Sequence, residues 1–204
     1  LTKKILNNKN NFVIGIDDLS SGNNLKNFSH KRFKFIKGNC SDKNILKKID
    51  KKINYIYHFA GQSSGEKSFY DPLDNFQRNV ITTLVLLDYS VKIKCKRFIY
   101  ASSMTVYGNN NNAKETDKCK PLSFYGLSKF SSEEFIKKYS LKNIDFTICR
   151  IFNVYGSNQK LNNDFQGLIR IYLTQLKKSN TLIIKGSKNR LRDFIDIEDV
   201  INML

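Results

Sequence analysis

The chain has 204 residues, enough to bury one full core and begin a second, and its 40 % hydrophobic and 12 % aromatic content excludes a disordered polymer. A net charge of +17 ordinarily points to nucleic acid. Here the excess is mainly lysine, scattered among many asparagines without an arginine-rich stripe or interleaved aromatics, so a solvated surface is the better reading. No run approaches the roughly 18 apolar residues of a membrane helix, and four scattered cysteines with two histidines, His30 and His58, assemble no metal-ligand set. A cytoplasmic protein with reduced thiols, no metal, and neither membrane nor nucleic-acid partners is expected.

In chain order, residues 1–6 read as the end of an amphipathic helix. Strands are predicted at 12–16, closed by Asp17 and Asp18, and at 33–36, with a short helix at 44–49. A third strand, 55–59, runs into Ala60 and Gly61. Val80, Leu84, Leu87 and Val91, at three- and four-residue steps, predict a long helix over 73–93. A fourth strand, 97–101, ends in Ser102 and Ser103; a polar loop at 109–121, a helix at 124–140 and a fifth strand at 146–150 follow. Beyond Arg150 the pattern changes to a helix near 166–177, a strand at 181–184 and a helix starting at Ile197.

Strands alternating with helices imply crossovers and a parallel sheet, and short strands rich in Ile, Val and Phe suit a sheet covered on both faces. The expected fold is therefore α/β, doubly wound. Ligands of such sheets bind beyond the carboxyl ends of the strands. Asp17, Gly38 with Asn39, Gly61, and Ser102 with Ser103 all fall there. An acid placed like Asp17 accepts hydrogen bonds from the adenosine ribose and repels a 2′-phosphate, which favours NAD over NADP. No two of the ten glycines are three apart, so no glycine-rich phosphate loop can be written. On this reading the first strand and its loop, roughly 15–20 residues, precede Leu1, and the chain is a fragment.

Tyr125 and Lys129 lie four residues apart on one predicted helix and project from one face. An ammonium ~4 Å from a phenolate at an effective dielectric of about 20 is worth ~4 kcal/mol, about three pK units, enough to bring a tyrosine toward neutrality as a general base. With ten tyrosines in a lysine-rich chain, chance alone supplies about one such spacing. Context decides: the helix follows a strand ending in Ser102 and Ser103, which sets a hydroxyl beside the phenol.

Several segments together resemble the extended short-chain dehydrogenases/reductases acting on nucleotide sugars, the NAD-dependent epimerases and dehydratases. They are IGIDDLSSG at 14–22, HFAG at 58–61, ASSMTVYG at 101–108, YGLSK at 125–129, RIFNVYG at 150–156 and RDFIDIEDV at 192–200. The resemblance implies a Rossmann-type sheet missing its first strand, with 1–152 an incomplete NAD-binding domain and 153–204 the start of a smaller substrate-binding region. It implies that Asp17 holds the ribose and Asn39 lies by the adenine, that Phe59, Ala60 and Gly61 line the cofactor path, and that Asn79 approaches it from the long helix. Phe152 would lie near the nicotinamide, Asn153 near the sugar nucleotide, and Arg192 would pair with its diphosphate. Ser103, Tyr125 and Lys129 would be catalytic, Tyr125 and Lys129 also touching the cofactor and Ser103 the substrate. The family often has Asp where Asn39 stands.

Similar 4,6-dehydratases carry Asp-Glu directly after the catalytic hydroxyl residue, where this chain has Met104 and Thr105. The resemblance thus implies a 4-epimerase, with UDP-hexose as substrate and NAD as cofactor, the fragment itself being inactive. Another oxidoreductase or dehydratase of the family, or an inert NAD-binding scaffold, are the alternatives. A homodimer through the helices at 73–93 and 124–140 is also implied.

Overall fold

The computed structural model describes residues 1–22, 28–110, 112–157, 167–184, 186–189 and 191–204. After α1 (Thr2–Asn7), the first two strands, β1 (Val13–Asp17) and β2 (Phe33–Lys37), pair in parallel, with Asp17 the last strand residue opposite Lys37. Helix α2 (Lys43–Leu46) is capped by Asp42, whose side chain accepts from the Asn44 N–H. It is shorter than expected.

A second parallel sheet has the order β3 (Tyr55–His58), β4 (Arg97–Ser103), β5 (Asp145–Ile151). Among the described residues no ladder joins β1 to β3. The α/β, parallel, Rossmann-type architecture is as expected.

The predicted helix over 73–93 forms as a chain of segments. A single turn, α3 (Lys67–Tyr70), precedes α4 (Pro72–Phe76), which starts with proline at its first position behind the Asp71 cap. A π turn, Gln77–Ile81, leads into α5 (Thr82–Lys92). Two threonines satisfy carbonyls of the widened turn: Thr82 donates to the Gln77 carbonyl and Thr83 to that of Asn79. Helix α6 (Phe124–Tyr139) is capped by Ser123, which accepts from the Gly126 N–H.

The core lies where α5 and α6 cover the β3–β4–β5 sheet. Leu86 and Leu87 from α5, Ile136 from α6, Phe98 and Tyr100 from β4, with Leu46 and Ile144, form one buried cluster. Ile16 of β1 and Ile56 of β3 pack against it, so the two sheets share one interior.

Past β5 two features differ from expectation. Strands β6 (Asn153–Tyr155) and β7 (Phe194–Asp196) pair in parallel, and α7 (Leu168–Ser179) and α8 (Ile197–Met203) accompany them. Three residues each, these strands are too short for an alternation signal. The strand expected at 181–184 is not one. Leu182, Ile183 and Ile184 are all exposed and in no ladder, because an apolar run becomes a strand only where a partner edge meets it. Of the helix expected at 166–177, residue 166 lies outside the described residues.

Candidate active site

Strand β4 ends at Ser103, which also caps the short 3₁₀ turn Met104–Tyr107. Its Oγ accepts from the Thr105 N–H at 3.3 Å and from Thr105 Oγ1 at 3.0 Å. With both lone pairs engaged, the Ser103 proton is directed elsewhere.

It goes to Tyr125. The first turn of α6 approaches the 3₁₀ turn after β4 closely because residue 126 is glycine: a Cβ there would stand 2.8 Å from the Thr105 carbonyl oxygen and 3.1 Å from Pro121. Burial pushes the Tyr125 phenol up from its ordinary value, and its hydrogen bond with Ser103 acts the other way.

One turn further on, Lys129 is 5 % exposed and donates from Nζ to the Ala101 carbonyl at 2.8 Å. The ammonium stands 4.9 Å from the Tyr100 ring centroid and 5.9 Å from that of Tyr125. Burial lowers Lys129 to about 8. The expected three-unit depression of the phenol is therefore not met: the lysine faces ring and carbonyl, and burial dominates the tyrosine. Ser103, Tyr125 and Lys129 do converge on the carboxyl end of β4, all buried.

Around them the other expected residues separate into two kinds. Phe59, Ala60 and Gly61 follow β3 on the open surface, Phe59 stacked beside Tyr57 at 6.5 Å. Gly61 has φ +146°, and a Cβ on it would meet Asn79 Oδ1 at 2.3 Å. Asn79, in the π turn, is buried and donates from Nδ2 to Ser128 Oγ at 2.9 Å, while Ser128 donates to the Tyr125 carbonyl. Its Oδ1, under Gly61, has no hydrogen-bond partner among the described residues.

Asp17 is exposed and accepts from the Leu19 N–H at 2.7 Å. Asn39, also exposed, accepts from the N–H and hydroxyl of Ser41. Phe152, half-buried, links β5 to β6. Asn153 donates from both its backbone N–H and Nδ2 to the Asp193 carbonyl, at 3.3 and 2.8 Å. Arg192 is exposed beside that junction.

Sequence reading gave no site role to Thr105, Glu133 or Arg150, which the structure packs against this cluster. Thr105 orients Ser103. Glu133, wholly buried on α6, accepts from Ser102 Oγ at 2.5 Å and from Arg150 of β5 at 2.8 Å. The four-residue step from Tyr125 through Lys129 to Glu133 was the available signal.

Among known proteins, the family described as the NAD dependent epimerase/dehydratase family matches residues 1–204. A Methanocaldococcus jannaschii protein, provisionally named a UDP-glucose 4-epimerase, is 35 % identical over 94 % of this chain and 64 % of its own length. The dTDP-D-glucose 4,6-dehydratase of Dictyostelium discoideum is 29 % identical over 99 % of this chain and 50 % of its own. The chain thus spans between half and two thirds of these relatives. A solved structure of UDP-glucuronic acid 4-epimerase from Bacillus cereus, in complex with UDP-glucuronic acid and NAD, superposes with a TM-score of 0.87 at 29 % identity, covering 98 % of this chain and 65 % of that one.

Proposed function

The chain belongs to the NAD dependent epimerase/dehydratase family, and from that premise we propose that the protein is an NAD-dependent nucleotide-sugar 4-epimerase acting on UDP-hexoses. One observation carries the reading. Ser103, Tyr125 and Lys129 meet at the carboxyl end of β4, while the two positions after Ser103, Met104 and Thr105, hold no acid or base. Elimination of water needs a group there that moves protons; returning a hydride to the sugar does not.

The residues present fit NAD. Phe59, Ala60 and Gly61 are exposed after β3, and the buried Asn79 Oδ1, without a hydrogen-bond partner among the described residues, lies directly beneath Gly61. Asp17, exposed at the end of β1, offers a carboxylate for ribose hydroxyls. When bound, NAD supplies the hydride acceptor and donor. Asn39 would flank the adenine and Phe152 the nicotinamide, with Asn153 and Arg192 toward the sugar nucleotide. Residues 1–152 would then be the cofactor half and 153–204 the beginning of the sugar half.

In the cycle, Tyr125 takes the proton of the sugar C4 hydroxyl and later returns it. Ser103, turned by Thr105 to donate, bonds the forming phenolate or the sugar oxygen. Lys129 carries its charge below about pH 8, and its ammonium, 5.9 Å from the Tyr125 ring centroid, would steady a phenolate formed there; the Ser103 hydrogen bond favours proton loss against the opposing effect of burial. Two molecules would pair through the apolar faces of α4–α5 and α6, where Leu73, Phe76 and Leu127 are exposed.

The test is interconversion of UDP-glucose and UDP-galactose by the full-length protein, with Tyr125→Phe as control. The variant should retain NAD and lose about 10²–10⁴-fold in turnover. Wild-type turnover in it would overturn the mechanism, and a dehydrated 4-keto product would overturn the epimerase assignment.

A further inference from the structure

Ser103 comes from β4, whereas Tyr125 and Lys129 come from α6. Their separation depends on how the helix is held against the strand end. Lys129 supplies one tie, to the Ala101 carbonyl, but that group also has to serve the proton chemistry. Glu133, one turn beyond Lys129, supplies another.

Its carboxylate has no exposed surface and four donor contacts: Ser102 Oγ at 2.5 Å, Arg150 Nε at 3.0 and 3.2 Å, and Arg150 Nη2 at 2.8 Å. Arg150, on β5, also donates from Nη1 to the Glu115 carbonyl at 3.1 Å, and its guanidinium lies 4.8 Å from the Tyr107 ring centroid. The Glu133–Arg150 pair thus gathers α6, β4, β5 and the loop before α6. Glu134, its neighbour, faces solvent and pairs with Lys137.

Burying an ion pair is seldom a net gain over apolar packing of the same volume. What such a pair specifies is position, since guanidinium and carboxylate meet only in a narrow range of geometries. The strand-side donor here is Ser102, the residue immediately before Ser103.

We propose that Glu133 is a positioning residue for the reaction: held by Arg150 and bonded by Ser102, it fixes α6 against the carboxyl end of β4 and so sets the Ser103 hydroxyl against the Tyr125 phenol. The inference rests on the reading of Ser103, Tyr125 and Lys129 as the reacting set. Glu133 touches no ligand itself, so its effect falls on the rate of the bound complex.

The experiment compares Glu133→Gln, Glu133→Asp and Ser102→Ala with wild type in the full-length protein, well below each variant's Tm, with Tyr125→Phe in parallel. Glu133→Gln keeps the shape and an acceptor for Ser102 but loses the charge, whereas Glu133→Asp keeps the charge one methylene short. Both should lower kcat about 10- to 100-fold, with KM and NAD affinity within about threefold of wild type, the cost of a displacement near 1 Å. Ser102→Ala, which leaves the ion pair intact, should lower kcat about three- to tenfold with little change in Tm. Lower Tm with wild-type kcat in the glutamate variants, or an unchanged kcat in Ser102→Ala, would overturn the proposal. Turnover retained by Tyr125→Phe would instead sink the assignment of the reacting set.

Discussion

The β4–α6 junction and the loops after β1, β2 and β3 all lie at the carboxyl ends of strands yet are built in opposite ways. At the junction, polar groups are buried and bonded across long stretches of sequence, Glu133 to Ser102 and Arg150, Lys129 to Ala101. In the β1 and β2 loops they are exposed and bonded to near neighbours, Asp17 to Leu19 and Asn39 to Ser41. Groups that exchange a proton need fixed distances and little water. Groups that receive a ligand need open atoms, and a local turn holds them well enough. On the proposed function, strength of tethering tracks the part each region plays.

The comparison can be broken in three places. Arg150→Met should have the largest effect on stability, because it strands the Glu133 carboxylate in the interior with Ser102 as its remaining partner. A loss of about 3–5 kcal/mol in urea unfolding is expected, and a loss below about 1 kcal/mol would mean the junction is no more tightly held than a surface pair.

Acid should act next, through His58. Burial, and then the charge of Lys129, lower its imidazole to about 3. Between the ordinary value near 6.5 and about 3 the unfolded chain takes up a proton that the folded chain refuses. This contribution to stability is full above about pH 6.5 and is lost as pH falls toward 3. Urea midpoints for wild type and His58→Gln between pH 7 and 4 should converge as the solution is acidified. A constant gap would show that His58 titrates normally in the fold.

The smallest effect belongs to Asp17→Asn. Asparagine keeps the acceptor for the Leu19 N–H, so unfolding should shift by no more than about 0.5 kcal/mol, while NAD affinity drops. A large stability loss there would erase the contrast between the two regions.

Much of this was legible in the residues. The apolar runs of β1 to β5 and the spacing of Tyr125 and Lys129 follow periodicities that a window of ten residues displays. Pairing over longer range was not. Glu133 and Glu134 are adjacent and chemically identical in the sequence, and only the partner on β5, seventeen residues away, decides which is buried. The β6–β7 pair unites residues some forty apart with three residues each, whereas the more apolar run at 182–184 meets no edge and stays unpaired. The upward push on the phenol was not legible for a related reason: its depth, and the carbonyl that draws Lys129, belong to the fold and not to the helix.

The bond from Asn153 to the Asp193 carbonyl, repeated by backbone and side chain, brings the two ends of an intervening forty-residue excursion together at one spot. Closing a long excursion costs only slightly more than closing a short one. Evolution can therefore rewrite or lengthen the interior of that excursion without tugging on its anchors. Under the proposed function, a lineage of such proteins could exchange one sugar for another by renovating this annex, while the β4–α6 junction next door keeps its original walls.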